Sequence, residues 1–116
     1  KCIEACPTEA IIAPAVVDGS RCISYFTIEL KEALSSDIKA QWQDWVFGCD
    51  ICQDVCPWNR FSKPHTDQRL SYDSKRLDRT WEEWRDTTEE EFKQLTKGSA
   101  LERPKWSGFM KNLKSF

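Results

Sequence analysis

The sequence predicts an α+β chain in three stretches: a small cysteine-rich module over residues 1–60 with an inserted helical segment, a connecting loop over 61–79, and a short all-helical C-terminal region over 80–116. Three observations lead there. All 6 cysteines fall in the first stretch, in two groups that each close on Cys-Pro. Two short apolar pieces, Ile11-Ile12 and Val16-Val17, are parted by Ala13-Pro14 and end at Asp18-Gly19-Ser20, the pattern of a hairpin and a turn. From Thr80 onward, two helix-start signatures and a helical repeat of apolar residues take over.

The cysteines stand as Cys2-x3-Cys6-Pro7, Cys22 and Cys49-x2-Cys52-x3-Cys56-Pro57. In two-cluster bacterial ferredoxins a C-x2-C-x2-C-x3-C-P run gives three thiolates to one 4Fe–4S cluster and the fourth to the other. Residues 1–7 match the back half of such a run, whose two leading cysteines would lie before residue 1. With no initiator Met, the chain is read as a fragment. No cysteine stands three residues before Cys49, and Cys22 is the substitute. The hairpin leads straight to it, and the 26 residues 23–48 then stand where two would do. The first stretch is therefore expected to be a two-cluster, bacterial ferredoxin-like 4Fe–4S module, N-terminally truncated and carrying an insertion. One cluster takes Cys22, Cys49 and Cys52 from the second run and Cys6 from the first, and is complete. The other takes Cys2 and Cys56 and lacks two ligands.

Zinc and disulfides are the competing readings of these thiols. Zinc wants two C-x2-C knuckles or a Cys/His mixture. Only Cys49 and Cys52 have that spacing, and the lone His65 follows Pro64 in a loop context that suits a solvated side chain. A disulfide framework fits less well, because nothing resembles a secretory signal.

Composition narrows the class further. Hydrophobic content of 40% with 31% charged residues excludes disorder as a whole-chain description. No apolar run approaches the ~20 residues of a membrane span, so a cytosolic protein without membrane contact is expected. A core this small is marginal, and cluster ligation should supply much of the folding free energy of residues 1–60. Trp42, Trp45 and Trp58 flank the cysteines and are expected to form an apolar shell that restricts water near a cluster, ordinary core packing being the plainer role of each.

Within the insertion, Ser35-Ser36-Asp37 can cap a helix with Ile38, Trp42, Trp45 and Val46 on one side, bringing the chain back to Cys49. In the C-terminal region Thr80-Trp81-Glu82-Glu83 and Thr88-Glu89-Glu90-Glu91 both match the capping box, in which a Thr oxygen and a Glu three residues on satisfy orphan amides at a helix start. Phe92 and Leu95 should face inward, with Gly98 as the stop. Pro104 suits the first turn of a last helix, whose Trp106, Phe109, Met110 and Leu113 recur at i, i+3, i+4 and i+7.

Net charge is −2, unevenly placed. Residues 97–116 hold Lys97, Arg103, Lys105, Lys111 and Lys114 against Glu102 alone, +4, which leaves −6 for residues 1–96. A solvated helix face is the plain reading of that basic end; a nucleic-acid contact surface is the sharper one.

The strings Cys-Ile-Glu-Ala-Cys-Pro-Thr-Glu-Ala-Ile (2–11), Arg-Cys-Ile-Ser-Tyr-Phe-Thr-Ile-Glu (21–29), Trp-Val-Phe-Gly-Cys-Asp-Ile-Cys-Gln-Asp-Val-Cys-Pro-Trp-Asn (45–59) and Lys-Gly-Ser-Ala (97–100) resemble the C-terminal part of the epoxyqueuosine reductases. The most specific are the Cys22 segment and the 45–59 block, since generic ferredoxins lack the insertion between them. The resemblance implies a cobalamin- and 4Fe–4S-dependent oxidoreductase that reduces epoxyqueuosine to queuosine in tRNA. It implies the same split of cysteine ligands, and it suggests Ser24 and Asp50 as positions near the corrin. The basic residues Arg103, Lys105 and Lys111 become candidates for tRNA phosphates. A tRNA carrying epoxyqueuosine and a low-potential electron donor, such as a flavodoxin or ferredoxin system, are the partners implied for a monomeric protein. The family's catalytic acid and most of its cobalamin contacts would lie upstream, so no catalytic residue is expected here and these residues alone should be inactive. A stand-alone ferredoxin carrier and the cluster module of a reductive dehalogenase-like cobalamin enzyme remain alternatives.

Overall fold

A computed structural model describes residues 1–32 and 45–114. The helix expected to start at Ser35-Ser36-Asp37 therefore lies mostly outside the described residues, as does Trp42. What is described is a helix-rich chain with one small sheet, its apolar residues gathered into two adjoining clusters.

The chain opens on a single helical turn, α1 (Cys2–Ala5), and Cys6 leaves it in extended conformation. Strands β1 (Ile11–Ala13) and β2 (Val16–Val17) then pair antiparallel, with Ile11 opposite Val17 and Ala13 opposite Val16. The turn between them places Ala15 at φ 60, the left-handed region. Asp18 accepts the Ser20 N–H and starts a 3-10 turn over Gly19–Arg21, which delivers Cys22. This is the expected hairpin, with its turn tightened into helix by the Asp18 cap.

After Cys22 the chain winds into a π-helical turn, Tyr25–Glu29, closed by the Leu30 N–H on the Tyr25 carbonyl at 3.0 Å. Such wide turns are rare and concentrate at functional sites. The second described stretch begins at Trp45 and reaches α2 (Ile51–Asp54), against which α1 packs. A 3-10 turn, Pro57–Phe61, follows Cys56.

Residues 61–79, expected to be loop, contain a 3-10 turn (Gln68–Leu70) and a helical turn, α3 (Ser74–Leu77). Both begin at an aspartate that accepts a backbone N–H two residues on, Asp67 from Arg69 and Asp73 from Lys75. Charge scatter hid these caps; short polar side chains satisfying the first amides of a turn are what make it helical.

The C-terminal region is helical as expected: α4 (Trp81–Arg85), α5 (Glu89–Thr96), a 3-10 turn (Ala100–Glu102) and α6 (Lys105–Leu113). Both capping boxes form with reciprocal bonds, Thr80 with Glu83 and Thr88 with Glu91. Gly98 at φ 73 ends the second helix. Trp84, Phe92 and Phe109 make an aromatic triad, with centroids 5.1 Å apart for Trp84 and Phe109 and 5.2 Å for Phe92 and Phe109. Val46, Met110 and Leu113 complete the cluster. The smaller cluster, Ile23 and Phe26 with Leu30, Trp45 and Cys49, sits beside the cysteines.

Candidate metal centre

Six free thiols occupy the cysteine-rich module, none fully buried or exposed. Their surroundings differ. Cys6 leaves α1 so that the Ala10 N–H donates to its sulfur at 3.3 Å, with the Thr8 hydroxyl 3.7 Å away. Burial works to raise this thiol, but hydrogen bonds from the Thr8 side chain and from the amides of Ala10, Ile11 and Thr8 outweigh it, and its pKa lies below the ordinary value. Thr8 and Ala10 are themselves buried, so these donors are fixed in place. Donors aimed at a sulfur favour the thiolate a metal needs and tune what that thiolate holds.

Burial pushes the Cys49 thiol up; the Ile51 N–H pulls the other way, and the charges of Cys52, Cys22 and Cys6 add to the rise. Those three are the partners expected from spacing. Cys6, Cys22 and Cys52 thus lie within electrostatic reach of Cys49, although Cys22 and Cys49 are separated by the whole insertion. Trp45, Ile23 and Phe26 pack on the Cys49 side as an apolar wall. Cys56 stands elsewhere, in an open recess shared with Lys1, Glu4 and Ala5 of the Cys2 turn. Among the described residues no three side chains close tightly enough to hold a single metal ion, but thiols of which Cys6 and Cys49 accept backbone N–H donors, beside an apolar wall, suit the chemistry of a larger 4Fe–4S cluster.

Holding the ends of a 26-residue insertion at the spacing normally set by two residues has an entropic cost. The loop-closure relation puts the difference at about 2 kcal/mol. Hydrogen bonds can offset it. The Thr27 hydroxyl donates to the Ile23 carbonyl at 2.9 Å and accepts the Gly48 N–H at 3.0 Å, tying the residue after Cys22 to the residue before Cys49. From α6, the Asn112 amide donates to the Thr27 carbonyl at 2.7 Å and to the Val46 carbonyl at 2.9 Å. Buried bonds of this kind are worth about 1 kcal/mol each, enough together to outweigh the closure cost. Neither Thr27 nor Asn112 was expected from the sequence. The only signal was a polar residue set inside or beside an apolar run.

The remaining expected site residues divide. Ser24 is half-buried at the start of the π-helical turn, and Asp50 is exposed at the start of α2 without capping it by its side chain. Trp58 is 78% exposed, so within the described residues it forms no part of a shell around the thiols; adjacency to Cys56 in sequence did not carry it inward. His65 is exposed, as a solvated side chain should be. Arg103 pairs with Glu29 through its Nε. Lys111 donates to the Leu30 carbonyl at 2.6 Å and to the Glu32 carbonyl at 3.3 Å, closing the end of the π-helical turn. Lys105 lies exposed at the start of α6.

Comparison with known proteins agrees with this chemistry. Residues 1–59 match the family described as 4Fe-4S double cluster binding domain. An epoxyqueuosine reductase of Cyclobacterium marinum is 53% identical over 113 residues, which are 97% of this chain and 36% of that protein. The structure of epoxyqueuosine reductase from Bacillus subtilis superimposes with a TM-score of 0.88 at 25% identity, over 98% of this chain and 30% of that one. A crystal structure of epoxyqueuosine reductase with a tRNA-Tyr epoxyqueuosine-modified tRNA stem loop gives the same TM-score of 0.88 at 25% identity, again over 98% and 30%. The chain thus spans about a third of the length of these relatives.

Proposed function

The chain belongs to the 4Fe-4S double cluster binding family, in the form carried by the epoxyqueuosine reductases, and on that premise we propose that it is the electron-relay and tRNA-contacting part of such an enzyme. In this reading Cys6, Cys22, Cys49 and Cys52 hold one 4Fe–4S cluster. Cys2 and Cys56 contribute two of four ligands to a second, the other two coming from residues outside those given. The observation that carries the reading is the Thr27 hydroxyl's link between Ile23, next to Cys22, and Gly48, next to Cys49.

When bound, such clusters supply electrons one at a time, whereas removing an epoxide oxygen takes two, so the reacting centre lies elsewhere. The residues here would do the holding and shielding. Thr8, Ala10 and Ile51 supply donors to the sulfurs, and Trp45 with Phe26 limits water on one side. Cobalamin, which the resemblance implies, would be bound mainly by residues beyond this chain, with Ser24 and Asp50 as the positions proposed to face it. Cysteines that ligate iron rather than pair as disulfides would suit a reducing compartment, and the cytoplasm is the proposed location; among the described residues no helix is long and apolar enough to cross a membrane. A flavodoxin or ferredoxin system is the proposed donor.

For tRNA, Lys105 is the proposed phosphate contact; of the other two basic candidates, Arg103 already pairs with Glu29 and Lys111 already serves main-chain carbonyls. Reconstituting the intact protein with iron and sulfide tests the cluster assignment. The wild type should bind about eight irons, and Cys22→Ser should lose about half of them with the signature of one cluster. Stoichiometric zinc in place of iron, or full iron retention by Cys22→Ser, would overturn it.

A further inference from the structure

Asn112 is 1% exposed and lies on α6, far in sequence from every cysteine. Its amide bridges two carbonyls near opposite ends of the insertion, Thr27 and Val46, while its own Oδ1 finds no partner among the described residues. A buried acceptor without a donor costs free energy that an apolar side chain of similar volume would avoid. Packing therefore does not account for an amide at this position, and bridging does. Thr27 continues the link: its hydroxyl joins the Ile23 carbonyl to the Gly48 N–H. Ile23 adjoins Cys22 and Gly48 adjoins Cys49, so one hydrogen-bonded chain runs from the C-terminal helix to both thiol-bearing segments.

We propose that Asn112 is a positioning residue for the four-thiol site, acting through Thr27 and Val46 to set the separation of Cys22 from Cys49. The C-terminal lobe is then part of the metal centre's framework. This rests on the cluster assignment above. Loss of the bridge should loosen one cluster and leave the second untouched, because Cys2 and Cys56 lie outside the linked segments.

The test uses the intact protein with its clusters, comparing Asn112→Leu, Thr27→Val, Thr27→Ser and Leu95→Ala. Leu95 packs on the larger core and takes no part in the bridging hydrogen bonds. Iron release to a chelator and the electron paramagnetic resonance of the reduced protein are read for each. Asn112→Leu and Thr27→Val should release half of the iron roughly tenfold faster, the factor carried by one buried hydrogen bond. They should also alter the resonance of one cluster only. Thr27→Ser keeps the hydroxyl and should behave as wild type, and Leu95→Ala should lower the melting temperature with both signals unchanged. Should Asn112→Leu fail to fold, the Thr27 pair decides alone. Wild-type release and resonance in both Asn112→Leu and Thr27→Val would overturn the proposal, as would the same changes in Leu95→Ala. A wild-type protein that takes up no cluster would instead overturn the assignment beneath it.

Discussion

Lys111→Met separates a structural cation from a nucleic-acid contact. The Lys111 ammonium lies 2.6 Å from the Leu30 carbonyl and 3.3 Å from that of Glu32, in a half-buried setting. Met keeps most of the aliphatic stem and its packing while removing the charge and its hydrogen bonds. Hydrogen bonds from a charged donor contribute about 1.5–3 kcal/mol, and a chain of this size loses roughly 4–8 °C of melting temperature per kcal/mol. A fall on the order of 10 °C is therefore expected. Lys105→Met, at an exposed position, should stay within about 0.5 kcal/mol of wild type. Salt titration of tRNA binding by the intact protein should give the opposite ranking. Lys105→Met should flatten the slope by about 0.7–0.9, the share of one neutralised phosphate, and Lys111→Met should leave it alone. If Lys111→Met instead melts like wild type and removes a full phosphate from the slope, its ammonium serves tRNA and the carbonyl contacts carry no weight.

Two other outcomes follow from the thiols and their approach. In metal-free protein Cys6, with its pKa lowered, should be alkylated before Cys49, with its pKa raised by burial, when both are followed by mass spectrometry at pH 7 to 8; the reverse order would contradict the donors seen at Cys6. The sign of the linkage is opposite at the two sites: the Cys6 thiolate adds stability above its unfolded pKa that is lost as pH falls through the folded one, whereas the Cys49 thiol adds stability at low pH that is lost as pH rises through its raised value. Gly48→Ala meets open space but sits at φ 69, so it should cost about 1–2 kcal/mol in chemical denaturation from backbone strain alone; an unchanged midpoint would show that this backbone relaxes.

What could be read from the sequence was what depends on local spacing. Cubane ligands within one run must follow a fixed stride, so Cys49, Cys52 and Cys56 stand out as candidate ligands, and the hairpin that precedes Cys22 forms as expected. The capping boxes at Thr80 and Thr88 are likewise closed within four residues, and both form. Partnerships across the chain were not legible. Counting cations found Arg103 and Lys111 but not Glu29 or the Leu30 carbonyl, 74 and 81 residues away in sequence. Trp58 looked like part of a shell because it follows Cys56-Pro57, yet the 3-10 turn after Pro57 turns it to solvent. Asn112 gave no warning because its role depends on two main-chain carbonyls, which carry no sequence signal.

The insertion and the C-terminal lobe make physical sense only together. A compact ferredoxin holds adjacent ligands at a C-x2-C stride by the backbone alone, and needs no further framework. Once 26 residues part Cys22 from Cys49, the backbone no longer fixes their distance, and something outside the module must. Here α6 does so through Asn112, and it is itself held by Phe109, Met110 and Leu113 against Trp84 and Phe92. Trp106 adds a bond from its indole N–H to the Thr87 carbonyl at 3.0 Å, fixing α6 to the end of α4. A free-standing carrier would have no use for residues 80–116. On the proposed assignment, a centre whose ligands are parted by an insertion gains from such a lobe, and the aromatic triad packs the helix that carries Asn112, 90 and 63 residues from Cys22 and Cys49 in sequence.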